Sequence, residues 1–150
     1  MKNRVDNGPF NLFAETEITV EFYECDPMKV VWHGNYFNYF EIGRRKLLEM
    51  IGYNYDDMEK SGFAFPVIEA SAKYIGILRY RDRAVIKAVL DEYENRLRIK
   101  FEIRNANTGL VTTRGLSTQM AFDIKKFESC FVCPKILIEK VEAFLNGNKQ

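Results

Sequence analysis

"NYFNYFEIGRRKLLEMIG", residues 35–52, is the stretch on which the rest of the chain must be arranged. Tyr36, Phe40, Leu47 and Ile51 recur at i, i+4, i+11 and i+15, joined by Phe37 and Leu48, while Asn38, Glu41, Arg45 and Glu49 hold the opposite side. A 3.6-residue period puts such positions on one face. The spacing therefore predicts an amphipathic helix of about four to five turns, stopped by Gly52. Gly43 lies toward the apolar side, where it costs helix propensity but lets another backbone come close. Glu41 and Arg44 stand three residues apart on the helix, a spacing that favours a structural ion pair.

Outward from this helix the period changes to two. Upstream, TEITVEFY (residues 16–23) alternates Ile18, Val20 and Phe22 with Glu17, Thr19 and Glu21, which predicts a half-buried strand. Downstream, the polar segment NYDDMEKSG (residues 54–62) reads as a connection. Residues 63–77 read as one long strand kinked at Pro66 or Gly76, and residues 84–93 as the next. The clearest alternation runs over residues 96–104. There Leu97, Ile99, Phe101 and Ile103 interleave with Arg98, Lys100, Glu102 and Arg104, so that a charged face should meet solvent or another subunit. NANTG (residues 105–109) is a turn, residues 110–123 a last long strand, and Pro134 opens a terminal helix with Leu137, Val141, Phe144 and Leu145 on one side. One long helix followed by consecutive turn-linked strands implies an α+β fold, an antiparallel sheet wrapped around that helix.

The 150 residues make a single domain with enough apolar content, 47% hydrophobic and 14% aromatic, to bury a real core. Residues 1–14 are expected to be disordered or an N-terminal arm, and 134–150 a C-terminal helix and tail. Twenty-two basic residues against 21 acidic ones leave a net charge of +1, which offers no general field for nucleic acid. No signal-peptide pattern and no span of about 18 apolar residues is present, so a cytoplasmic protein that does not enter the membrane is expected. Three cysteines cannot all pair within one chain. Cys130 and Cys133 form a C-x-x-C, but no second such pair exists, and the segment lacks a βαβ setting. Inert thiols, no metal and no cofactor are the expectation.

The chemistry-bearing segment lies just before the helix. Asp26 leaves the first strand at Pro27, an apolar Val30-Val31-Trp32 crossing follows, and the only histidine, His33, opens the helix with Gly34 and Asn35. A helix start presents unpaired amides and a partial positive charge, and Gly34 leaves room for a ligand to approach them. A carboxylate facing such donors has the parts that hydrolysis of an acyl compound needs. A turn aspartate and an ordinary surface histidine are the bland alternative.

D-P-x-x-V-V-x-H-G-N-Y followed by F-E-x-x-R resembles the signature of the 4-hydroxybenzoyl-CoA thioesterase family, acyl-CoA thioesterases of the hotdog fold. Tyr74 with Tyr80-Arg81-Asp82, Thr108-Gly109 and Pro134 extend the resemblance over roughly residues 15–145. It implies a hotdog fold, with Asp26 as the catalytic carboxylate acting as general base or nucleophile. It also implies that the backbone amide at His33 polarises the thioester carbonyl, the imidazole being implicated too, and that a homodimer or homotetramer carries sites at its seam. Coenzyme A, or acyl-carrier protein in its place, would be the thiol carrier. Lys73, Arg79 and Arg81 are candidates for the CoA phosphates, because basic side chains suit those groups. Val31, Trp32, Gly34, Asn35, Tyr36, Phe63 and Phe65 are candidates for the acyl site, core packing being the alternative for the apolar ones. Met28-Lys29 departs from the small, often glycine-containing pair of the family, and Phe22 stands where some members carry tyrosine. A hotdog hydratase or dehydratase and a non-enzymatic acyl-CoA-binding module are the rival readings. The former would need His33 and Glu41 as an acid–base pair, although eight residues on one helix separate them by about 12 Å along the axis.

Overall fold

The computed structural model describes residues 6–147. Strand β1 (Phe13–Thr19) leads through a short 3-10 turn (Phe22–Glu24) and a loop to helix α1 (Asn35–Met50) and helix α2 (Tyr55–Ser61). The strands β2 (Phe63–Ala64), β3 (Val67–Tyr74), β4 (Arg83–Glu92), β5 (Leu97–Asn105), β6 (Val111–Gln119), β7 (Phe122–Asp123) and β8 (Glu128–Ser129) follow, and helix α3 (Lys135–Gly147) is the last of the described elements. Five strands form one antiparallel sheet in the order β1-β4-β5-β6-β3, while β2, β7 and β8 make a small second sheet. This is the expected α+β arrangement, with α1 lying on the face of the main sheet made by β1, β4 and β5.

The alternation in β5 does what its pattern implies. Leu97, Ile99, Phe101 and Ile103 are all at 0% exposure beneath α1, whose Tyr39, Phe40, Leu47 and Leu48 complete the core. Phe40 stacks on Phe101 at 4.7 Å and covers Gly115 of β6, where no side chain would fit. Gly43 serves the close approach anticipated for it, since a β-carbon there would lie 2.8 Å from Ile86 Cγ2 of β4. Arg44 is buried beside it. Its guanidinium holds Glu41, donates to Ser117 Oγ at 2.9 Å and lies over the Phe101 ring, while Tyr55 of α2 donates to the other oxygen of Glu41.

On the outer face the register lines up Glu15, Lys87, Glu102, Arg114 and Lys73 directly opposite one another across all five strands. Arg98 is half-buried and Lys100 exposed, as a charged solvent face should be, but Lys87 and Glu102 are buried at 8% and 0% between their neighbours.

Several elements differ from the linear reading, each for a local reason. The first strand covers Phe13–Thr19 rather than residues 16–23. Glu24 folds back to accept the Glu21 amide at 2.8 Å, which winds Phe22–Glu24 into a 3-10 turn and leaves Phe22 exposed. Residues 1–5 and 148–150 of the anticipated arm and tail lie outside the described residues, whereas Leu12 and Ala14 are core residues. The connection at 54–62 contains α2, started by the reciprocal Asn54–Asp57 capping box and stopped by Gly62 at φ +90°. Its single buried anchor, Met58, gave no period to read. The strand read at 63–77 breaks at Pro66, and that read at 110–123 breaks after Gln119. In both, the short outer piece pairs in the second sheet. Among the described residues, no helix is long and apolar enough to cross a membrane.

Candidate active site

Asp26 begins a tight hairpin whose geometry is written in Asp-Pro-Met-Lys. The Asp26 amide donates to the Val30 carbonyl at 2.9 Å, the Lys29 amide to the Asp26 carbonyl at 2.8 Å, and the Met28 amide to Asp26 Oδ1 at 2.8 Å. Aspartate at the first position of a turn commonly accepts this last bond, and proline suits the second. The fourth residue, Lys29, takes φ +65°, a left-handed position. Cys25 and Val31 pair across the hairpin, and the Val31 amide donates to Leu78. Asp26 thus comes to line a cavity of about 300 Å³ with Phe22, Cys25, Pro27, Lys29 and Tyr80. Phe22 and Tyr80 meet edge-on at 5.5 Å on its apolar side. Among the described residues no protein group bonds the second carboxylate oxygen of Asp26.

The helix start is tied to the same hairpin. The Glu24 carbonyl, two residues before Asp26, accepts from the Trp32 amide at 3.0 Å and from Asn35 Nδ2 at 2.7 Å. Gly34 is the N-cap of α1 in helical conformation (φ −67°, ψ −24°), so no side chain caps the helix. Among the described residues, nothing accepts from the amides of His33 and Gly34. The Trp32 ring lies against Gly34, where a β-carbon would collide with it. The exposed His33 imidazole stands 5.1 Å from the Trp32 ring and 6.2 Å from that of Tyr74, whose hydroxyl donates to the His33 carbonyl at 3.0 Å.

Of the anticipated acyl-site residues, Val31, Trp32, Gly34, Asn35 and Tyr36 lie at this helix start, next to the cavity's hairpin but not among its lining residues. Val31 and Tyr36 are buried, and burial pushes the Tyr36 phenol up. Asn35 is occupied by Glu24 and Asn38. Phe63 and Phe65 are not brought to Asp26 within this chain. Phe65 packs on Tyr53 just beyond the other end of α1, about 24 Å away along a 16-residue helix, because Phe63 and Ala64 pair with β7 there. Among the basic candidates, Arg79 and Arg81 flank Tyr80 on the connection that pairs with Val30; Arg81 lies over the Tyr80 ring at 5.0 Å. Lys73 sits elsewhere, opposite Arg114 on the outer face. Phe22, Cys25, Pro27, Lys29 and Tyr80 are the lining residues that the linear reading did not assign to the site. The first four lie within four residues of Asp26 and were within reach of a turn analysis, whereas Tyr80 arrives from the distant connection between β3 and β4.

Glu41, the acid–base partner that a hydratase would need beside His33, is engaged by Arg44 and Tyr55. The three thiols are free, and burial pushes that of Cys133 up to about 12.

YneP of Bacillus subtilis, provisionally named an acyl-CoA thioesterase, is 36% identical over 80 residues, 53% of this chain and 58% of that protein. The acyl-acyl carrier protein thioesterase ATL3 of Arabidopsis thaliana is 41% identical over 76 residues, 51% of this chain and 40% of that protein. The matched segments therefore span about half the length of these curated relatives. A DHNA-CoA thioesterase from Staphylococcus aureus superposes with a TM-score of 0.76 at 29% identity, covering 92% of this chain and 95% of that one. With the family model matching residues 20–141, a hotdog architecture and the Asp26–His33 segment at its helix start, the chain belongs to the thioesterase-like superfamily that includes the 4-hydroxybenzoyl-CoA thioesterases.

Proposed function

We propose that this chain hydrolyses acyl-CoA thioesters, with Asp26 as base or nucleophile and the start of α1 as the oxyanion site. One observation carries the reading: the Glu24 carbonyl clamps the helix start to the hairpin that holds Asp26 in an apolar cavity. As a base, the Asp26 carboxylate takes a proton from water while the water oxygen adds to the thioester carbonyl. The negative oxygen is held by the amide at His33. Collapse then breaks the C–S bond, and the departing thiolate takes up the proton, leaving a carboxylic acid and free thiol. As a nucleophile, Asp26 adds to the carbonyl and expels the thiolate, forming an anhydride; water opens it to the carboxylic acid and free Asp26, and the proton set free goes to the thiolate. A well-placed amide at the oxyanion contributes on the order of 3–4 kcal/mol to barrier lowering. The names of the relatives support coenzyme A or acyl-carrier protein as thiol carrier. Arg79 and Arg81, beside the cavity, are the candidates for the carrier's phosphates.

We further infer that two copies join along β3. This edge strand is almost wholly exposed and carries Val67, Ile68 and Tyr74, followed by the exposed Ile75 and Ile77. Beside it the inner sheet face is paved with Ala70, Ala72 and Gly115, and Phe37 of α1 stands exposed. A long, apolar, unpaired edge is a template for pairing.

The test is thiol release from benzoyl-, hexanoyl- and palmitoyl-CoA. Turnover by the wild-type chain is expected, and Asp26→Asn should lower kcat at least about 100-fold with an unchanged melting temperature. Wild-type kcat in that variant would remove the mechanism. Stabilisation by these ligands without turnover would favour a binding module instead.

A further inference from the structure

Tyr74 ends the edge strand β3 and has no part in the chemistry described so far, yet its hydroxyl reaches 3.0 Å to the His33 carbonyl, 41 residues back in the chain. That carbonyl belongs to the same planar peptide as the Gly34 amide. In a trans peptide the C=O and N–H point in opposite directions. A donor fixed on the carbonyl therefore fixes the line along which the Gly34 N–H is offered on the other side. It also polarises the peptide, and chained hydrogen bonds strengthen one another by roughly 10–30% per bond. The neighbouring His33 amide is supported in the same way, because its peptide carbonyl, that of Trp32, accepts from the Asn35 amide at 2.9 Å. For the His33 carbonyl the other contact is the long 3.4 Å approach of the Tyr36 amide. Tyr74 is the short, directed one. The rings reinforce the placement, since Tyr74 stands against both His33 and Tyr36, at 6.2 and 5.4 Å.

Building on the hydrolase reading above, we propose that Gly34 N–H is a second oxyanion donor and that Tyr74 is its positioning residue, through the hydroxyl on the His33 carbonyl. The assignment fits a glycine at this position, where a β-carbon would collide with the Trp32 ring packed beside the amide. It also explains why the phenol sits on a separate strand, where helix fraying does not move it.

Tyr74→Phe keeps the ring contacts and removes only the donor. In thiol-release assays with benzoyl- and hexanoyl-CoA, kcat should fall about three- to tenfold while KM stays within about twofold, because the lost interaction strengthens with negative charge on the oxygen. The melting temperature should match that of the wild type. The ¹⁵N–¹H resonance of Gly34 should move, whereas those of the middle of α1 should not. Asp26→Asn is measured alongside. If Asp26→Asn abolishes turnover while Tyr74→Phe retains wild-type kcat, or if the Gly34 resonance is unmoved, the role of Tyr74 is overturned and the hydrolase reading stands. Absence of turnover by the wild-type chain, or full activity of Asp26→Asn, overturns both. A rise in KM at constant kcat would make Tyr74 a ground-state binding contact and overturn the positioning role.

Discussion

Lys29 keeps a left-handed backbone at φ +65°, a conformation that costs a residue with a side chain on the order of 1–2 kcal/mol and glycine almost nothing. The site hairpin demands that conformation for its fourth residue whatever the side chain. Lys29→Gly should therefore raise stability by up to about 1 kcal/mol, after the greater flexibility of glycine in the unfolded chain is offset, and equilibrium denaturation would measure it. A loss would mean that the lysine stem, which lines the cavity beside Asp26, contributes more packing than the strain costs. At this scale the sequence was informative wherever chemistry is local. Asp-Pro announces a turn, and His-Gly-Asn announces the helix start, so the turn at Asp26 and the helix start behind His33 were legible. The positions of Tyr74 against His33 and of Tyr80 beside Asp26, and of Phe63 and Phe65 beyond the far end of α1, were not, because each depends on which strands pair, and nothing local encodes that.

The central helix approaches β4 through Gly43, where the space for a methyl group is taken by Ile86. Gly43→Ala gains roughly 1 kcal/mol of helix propensity but forces overpacking that costs typically about 1–3 kcal/mol. A net loss of up to about 2 kcal/mol, seen as a lower denaturant midpoint at constant slope, is expected; a gain would show that Ile86 moves aside freely. Long elements with a strong period, such as α1 and β5, were legible in type and nearly in extent. Short ones were not. The helix α2 buries little more than Met58, and the breaks after Pro66 and Gln119 appear only when β2 and β7 find each other in a second sheet.

For the molecule as a whole, the open β3 edge means that one chain is an incomplete assembly under the dimer proposed above. Sedimentation at micromolar concentration should show a dimer or a multiple of it, and Ile68→Lys, which places a charge on the exposed edge, should shift it toward monomer. A wild-type chain that sediments as a monomer would sink the proposal. The remaining large-scale question is how five strands find one alignment. Sliding a strand by a single residue turns its apolar side outward and is rejected by the core. Sliding by two leaves that side inward and escapes the penalty. Here Glu102 closes the loophole: it is the lone acid among Arg98, Lys100, Glu102 and Arg104, and it meets Lys87 on one flank and Arg114 on the other. A two-residue slip of β5 in either direction would set Lys100 or Arg104 against both of those cations. One buried glutamate thus works as the key that lets the sheet close in a single way.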